Sequence, residues 1–240
     1  MHPNRLHKIV PQATYNPPPD CGLDIAYCDE SLLVVNKPAG LLSVPGRGLE
    51  KSDSLAVRVQ KEFPDAHSVH RLDMSTSGLL VFARGAVMHQ RLSCLFRERA
   101  IKKSYIAIVS GRVGTTTGEV DLPLASDWPN RPRQKVDFAI GKPSLTRYFL
   151  LDYLIYPARD SMHHGECGLP ASRVELEPAT GRTHQLRVHM AAIGHPVLGD
   201  ELYGGNAGNN VERLLLHARE LSFVHPLREK LLTLSSEPPF

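Results

Sequence analysis

The sequence predicts an α+β fold with a mixed or mainly antiparallel sheet. Strand-like apolar runs outnumber helix-like ones, and they do not alternate with helices as the βαβ units of a parallel sheet would. The bulk numbers agree: 240 residues, 42% hydrophobic and 22% charged, suffice for a sizeable core without disulfide or metal support.

Leu32-Leu-Val-Val35 followed by Asn-Lys-Pro-Ala-Gly reads as a buried strand entering a turn, with Lys37 at that turn. Ser52-Asp-Ser54 supplies a helix cap, and Leu55, Val59 and Phe63 then recur at i, i+4 and i+8 until Pro64 stops the helix. Gly78 to Ala83 is a nearly continuous apolar strand. From Ala86 to Arg99, Met88, Leu92, Leu95 and Phe96 share one helix face, which leaves Arg91, Arg97 and Arg99 as a solvated face. Tyr105 to Val109 returns to strand, with Tyr105 on the side opposite Ile106 and Ile108. Thr183 to Ile193 fits a helix closed by Gly194.

The net charge of +3 means that any nucleic-acid contact must come from a focused patch. Cys21, Cys28, Cys94 and Cys167 form no C-x-x-C pair, so reduced thiols are expected, as in the cytosol. Residues 1–24 read as a flexible, proline-rich leader without the apolar core of a signal peptide, and its Arg5, His7 and Lys8 are candidate phosphate contacts. No apolar run approaches the ~18 residues of a membrane span, so a cytoplasmic protein with no membrane partner is expected. The loop from Tyr156 to Ala171 carries His163-His164 but no third ligand at a useful spacing, and no metal site is expected there. P-loop, G-x-G-x-x-G and H-E-x-x-H elements are absent.

The most chemical stretch runs from His70 to Arg84, where Asp73 lies between His70-Arg71 and a Ser/Thr/Gly turn. A carboxylate beside Arg71 can stay ionised in a partly dry cleft and act as a nucleophile. An Asx-type turn, with Asp73, Ser75 and Ser77 bonding nearby backbone, uses the same letters.

Several stretches in order resemble the RluA-type branch of the pseudouridine synthases. They are Val34-Val-Asn-Lys-Pro-Ala-Gly-Leu-Leu-Ser-Val-Pro-Gly46, the His70 to Arg84 run, Lys102-Lys-Ser-Tyr-Ile-Ala-Ile-Val109, Thr180-Gly-Arg-Thr-His-Gln-Leu-Arg-Val-His189, Gly194-His-Pro-Val-Leu-Gly-Asp200 and Arg213-Leu-Leu-Leu-His-Ala218. Asp121-Leu-Pro-Leu124 and Asp127-Trp-Pro-Asn-Arg-Pro132 narrow the resemblance within that branch.

The resemblance implies a mixed, mainly antiparallel sheet with helices packed on it and a central cleft, formed by one catalytic domain over 25–240. It leaves no room for the separate N-terminal RNA-binding domain that many relatives carry. It implies an isomerase that acts without cofactor on uridines in hairpin loops, with a large-subunit rRNA hairpin and a tRNA anticodon stem-loop as substrates; a monomer is expected. Asp73 is implied as the catalytic aspartate and Arg187 as the arginine that pairs with it, through a fork that matches a carboxylate. Tyr105 is implied as the tyrosine that stacks on uracil and takes the C5 proton. Leu216 is a candidate pocket wall, and Arg71 is implied to follow the flipped base into the vacated stack. Lys37, Arg47, Arg131, Arg133 and Lys135 are candidate phosphate contacts, and Trp128 and Asn130 are candidates for reading a loop.

Each residue also has a plainer use: Arg187 on a helix surface, Tyr105 and Leu216 in the core, the basic residues in solvent. Two other functions fit parts of the pattern. An inactive RNA-binding relative would have no need to keep Asp73, Tyr105 and Arg187 together. A glycosidase or nucleosidase wants a second carboxylate, and none accompanies Asp73 in these motifs.

Overall fold

A computed structural model describes residues 15–157, 168–205 and 211–240. Arg5, His7, Lys8, Cys167 and the His163-His164 pair lie outside the described residues.

The alternating pattern of the first strands has a simple outcome. In β2 (Leu32–Lys37) and β4 (Ser77–Arg84), Leu33, Val35, Leu80 and Phe82 face one side of the sheet, and Leu32, Val34, Leu79, Val81 and Ala83 face the other. Both sides are covered, by α1 (Leu55–Glu62) through Leu55 and Val59 and by α2 (Ala86–Arg97) through Met88 and Leu92. A strand buried on two faces has no polar face to show, which is why these runs read as continuously apolar. The Ser54 hydroxyl caps α1 by accepting the Val57 amide.

Ten strands form the main sheet. Its path runs β1 (Ile25–Cys28), β2, β4, β11 (Leu216–Val224), β5 (Lys102–Ser110), β10 (Leu169–Pro178), β9 (Leu145–Tyr156) and β6 (Thr117–Asp121), with β3 (Ala66–Ser68) beside β4 and β12 (Leu231–Ser235) beside β11. Only the β4–β11 pair is parallel, so the sheet is mixed and mainly antiparallel as expected. At that pair Gly78, with φ +113°, meets the Ala218 backbone so closely that a Cβ would overlap it. A short hairpin of β7 (Leu124–Ser126) and β8 (Gln134–Val136) stands apart. α3 (Gln185–Ala192) covers the second half of the sheet, where Leu186 and Met190 pack on Ala107, Val109, Val174 and Leu176.

The expected leader extends too far toward residue 24. Within 15–24, Tyr15 donates to the Asp53 carbonyl and accepts the Leu42 amide, and Arg58 donates to the Pro18 and Pro19 carbonyls, so this segment is fastened to the start of α1. Among the described residues no helix is long and apolar enough to cross a membrane.

Candidate active site

A cleft of about 1030 Å³ opens between the two halves of the sheet. Asp73 enters it from the loop between β3 and β4, and both neighbours of Asp73 are clamped. The Ser43 hydroxyl donates to the Leu72 carbonyl at 2.7 Å and accepts the Leu72 amide at 3.0 Å. On the other side the Lys37 amine donates to the carbonyls of Met74, Pro38 and Leu41. The Asp73 side chain does not fold back on this loop as an Asx turn would, but takes a 3.2 Å hydrogen bond from Arg187 Nη1.

Lys37 is therefore not a phosphate contact. It has no exposed surface, and burial, against the pull of Asp73, pushes its ammonium down to about 7. A lysine next to a Pro-Ala-Gly turn reads as solvent-facing, but here the turn wraps around the amine.

Arg187 arrives from α3. The turn ahead of the helix is organised by Gln185, whose Oε1 accepts the Thr180 hydroxyl and the Arg182 amide while its Nε2 donates to the Leu145 carbonyl and Thr146 hydroxyl. The fork of Arg187 does not grip Asp73. Its Nε and Nη2 each donate at 2.8 Å to Asp200, and only Nη1 is left for Asp73. Asp200 Oδ1 also accepts the Leu202 and Tyr203 amides, which completes a buried carboxylate. The backbone leading into it passes against the Arg213 carbonyl at Gly199, where φ is +75° and a Cβ would clash. Burial opposes the Arg187 charge, but Asp200 and Asp73 outweigh it and hold the guanidinium above its usual range.

Tyr105, Leu216 and Arg71 line the same cleft. Tyr105 packs against the core under α1 and also against the core under α3, so its ring bridges the two halves. Burial and then the charge of Asp73 push its phenol up, so the ring is neutral at rest. Leu216 is nearly buried beneath it, and Arg71 is exposed at the rim. The cleft brings together Asp73, Tyr105, Arg187, Leu216 and Arg71.

Arg131 and Arg133 are not in the cleft lining. They lie exposed at the tip of the β7–β8 hairpin, Arg131 over the Trp128 ring at 3.0 Å and Arg133 5.4 Å from the Tyr203 ring centre. Lys135 is paired with Asp137, Asn130 with Asp127, and Arg47 is exposed. Arg97 and Arg99 are exposed as expected and also line the cleft, with Lys102, Lys103, Arg147 and Arg182. In all, eight Arg and Lys residues face three Asp and Glu residues there, which is the focused positive patch that a nearly neutral chain needs to attract a polyanion. No cluster of three metal-ligating side chains occurs among the described residues.

Sequence reasoning missed Asp200, Gln185, His184 and Tyr203. In the sequence Asp200 is only the last residue of the Gly194 to Asp200 motif. The one available signal was a carboxylate directly after a Gly at the close of that motif, and the adjacent Glu201 blurs it.

The profile of the RNA pseudouridylate synthase family matches residues 31–192. The chain belongs to that family. Among similar proteins, Dual-specificity RNA pseudouridine synthase RluA of Escherichia coli strain K12 is 48% identical over 94% of this chain and 98% of its own length. The protein of the same name from Pasteurella multocida is 46% identical over 95% and 98%. The solved structure of Human RNA Pseudouridylate Synthase Domain Containing 1 superposes with a TM-score of 0.74 at 30% identity, covering 97% of this chain and 87% of that one. As a family member the chain is an RNA pseudouridine synthase of RluA type, an isomerase whose substrate is RNA.

The family's reaction breaks the bond between ribose C1′ and uracil N1, turns the base and rejoins it through C5. N1 gains a proton and C5 loses one, so the net change is an isomerisation. A walled cleft in which a carboxylate is paired with a fixed cation beside an aromatic ring suits a reaction that must hold a detached base.

Proposed function

We propose that this synthase opens the glycosidic bond of uridine with Asp73 and serves two RNAs, a large-subunit rRNA hairpin and a tRNA anticodon stem-loop. Arg187 holds the Asp73 carboxylate, Tyr105 stacks on the uracil and receives the C5 proton, and Leu216 walls the pocket. Arg71 enters the stack that the flipped base leaves, at a cost for the base on the order of a few kcal/mol. Arg131 and Arg133 contact RNA backbone from the hairpin. RNA is recognised by the catalytic unit of residues 25–240, which works in the cytoplasm as a monomer and without a cofactor.

The observation that carries this reading is the sharing of Arg187: a buried aspartate fixes two of its nitrogens, and the third is offered to Asp73, a carboxylate that opens on a basic cleft. The double substrate is supported by the 48% identity to a protein named as dual-specificity.

Pseudouridine mapping of total rRNA and tRNA, from cells with and without the gene, tests the substrates. One lost site in each class is expected, and loss confined to one class would sink the double assignment. With a purified enzyme and a prefolded hairpin, EDTA should leave turnover unchanged. Activity restored only by one specific metal would contradict cofactor-free chemistry.

A further inference from the structure

His184 precedes α3 in a left-handed conformation, with φ 55°. Its side chain is 10% exposed and its two ring nitrogens face different partners. Nδ1 is 2.8 Å from the Tyr203 hydroxyl, and Nε2 is 3.8 Å from Asp73 Oδ2.

The tautomer follows from counting protons. The Tyr203 oxygen already accepts the Gln134 amide at 2.7 Å, and among the described residues Nδ1 is the acceptor available to the phenol's own hydrogen. Nδ1 therefore accepts, and the proton of the neutral ring sits on Nε2. Burial, assisted by Arg187 and Arg71 against the pull of Asp73 and Asp200, keeps the imidazole below its ordinary range and hence neutral. The Arg187 guanidinium lies 5.2 Å from the Tyr203 ring centre, so the phenol is held on that face as well.

We propose that His184 is a positioning residue for Asp73: with its tautomer set by Tyr203, its Nε2–H addresses Oδ2 and turns Oδ1 toward the substrate. Arg187 Nη1 binds that same Oδ2, so both donors restrain one carboxylate oxygen and leave the other for reaction. At 3.8 Å the contact is longer than a hydrogen bond, and catalytic contacts of this kind tighten when substrate enters. The inference rests on Asp73 being the reactive carboxylate.

Two substitutions separate positioning from mere structure. Asn places an amide where Nδ1 lies and tolerates a left-handed backbone well, whereas Gln reaches the place of Nε2 with an N–H but tolerates that backbone less well. Positioning therefore predicts that His184→Gln keeps turnover within a few-fold of wild type, while His184→Asn lowers kcat about ten-fold or more at unchanged KM. A structural role predicts the reverse order, with activity following melting temperature.

Tyr203→Phe keeps the ring, removes the hydrogen that sets the tautomer, and should lower kcat without changing KM even if a His184 variant fails to fold. Asp73→Asn is assayed beside them. If it is inactive and the Gln and Asn variants are equal, or if Tyr203→Phe turns over like wild type, the role of His184 is overturned and the Asp73 reading stands. If Asp73→Asn is active, both fall.

Discussion

Arg187 binds two carboxylates, one in the cleft lining and one buried outside it, and their surroundings differ. Asp200 has a side chain with no exposure, two hydrogen bonds of 2.8 Å from the guanidinium and two backbone amides. Asp73 has a side chain 22% exposed and one bond of 3.2 Å, on a loop whose neighbouring residues are clamped. One carboxylate has spent its lone pairs on the protein and the other has kept most of them. The first fixes the cation and the second uses it, so the field that acts on Asp73 is already in place before RNA arrives.

The sharpest way to break this comparison is to remove the arginine. Arg187→Ala leaves Asp200 buried and unpaired, a loss of about 3–5 kcal/mol, and the melting temperature should fall far below that of Asp73→Asn. Equal melting temperatures would show that the anchoring half does not depend on the pair.

Next in size is Tyr105, the ring shared by both halves. Tyr105→Phe keeps the ring but removes the hydroxyl proposed to receive the C5 proton, so the variant should still bind the uridine and lose most of the rate of pseudouridine formation. Tyr105→Leu should also weaken binding of the uridine. Wild-type rates in the Phe variant would leave stacking as the only role of the ring.

Arg71→Ala is expected to act at the rim, lowering turnover of a structured hairpin more than that of a short unstructured RNA with the same uridine. The comparison is made at one salt concentration, because phosphate contacts are salt-dependent. Equal fractional losses would assign Arg71 to chemistry or general binding.

A separate effect, seen only toward acid pH, concerns His70, which stacks on Phe96 and accepts the Val81 amide at its Nε2. Burial, helped by Lys103, pushes its imidazolium down to about 3. The unfolded chain therefore binds the proton first, and stability that is complete above pH ~6.5 should decline as pH falls toward ~3. His70→Gln should flatten that part of a urea-unfolding series, and an unchanged slope would remove His70 as its source.

Local signals were legible in the sequence because they are local in physics. The Ser54 cap, the i, i+4 stripe of α1, the apolar face of α2 and the alternation at Tyr105 all recur in the structure at nearly the expected bounds. Motif order placed Asp73, Tyr105 and Arg187 in one cleft. What was illegible depends on distant chain meeting in space. Lys37 reads as exposed until three carbonyls from two loops surround it, and Asp200 has no meaning until the turn at Gly199 brings it under α3. The sheet order is illegible for the same reason, since β11 inserts between β4 and β5, which come more than a hundred residues earlier.

The division of labour between the two carboxylates is tested most directly by measuring pseudouridine formation and melting temperature on Asp73→Asn and Asp200→Asn side by side. The account predicts that Asp73→Asn makes no pseudouridine and melts like wild type, while Asp200→Asn melts clearly lower and retains measurable turnover. An Asp73→Asn enzyme with turnover above a few per cent, or an Asp200→Asn enzyme that is fully stable and inactive, would contradict it.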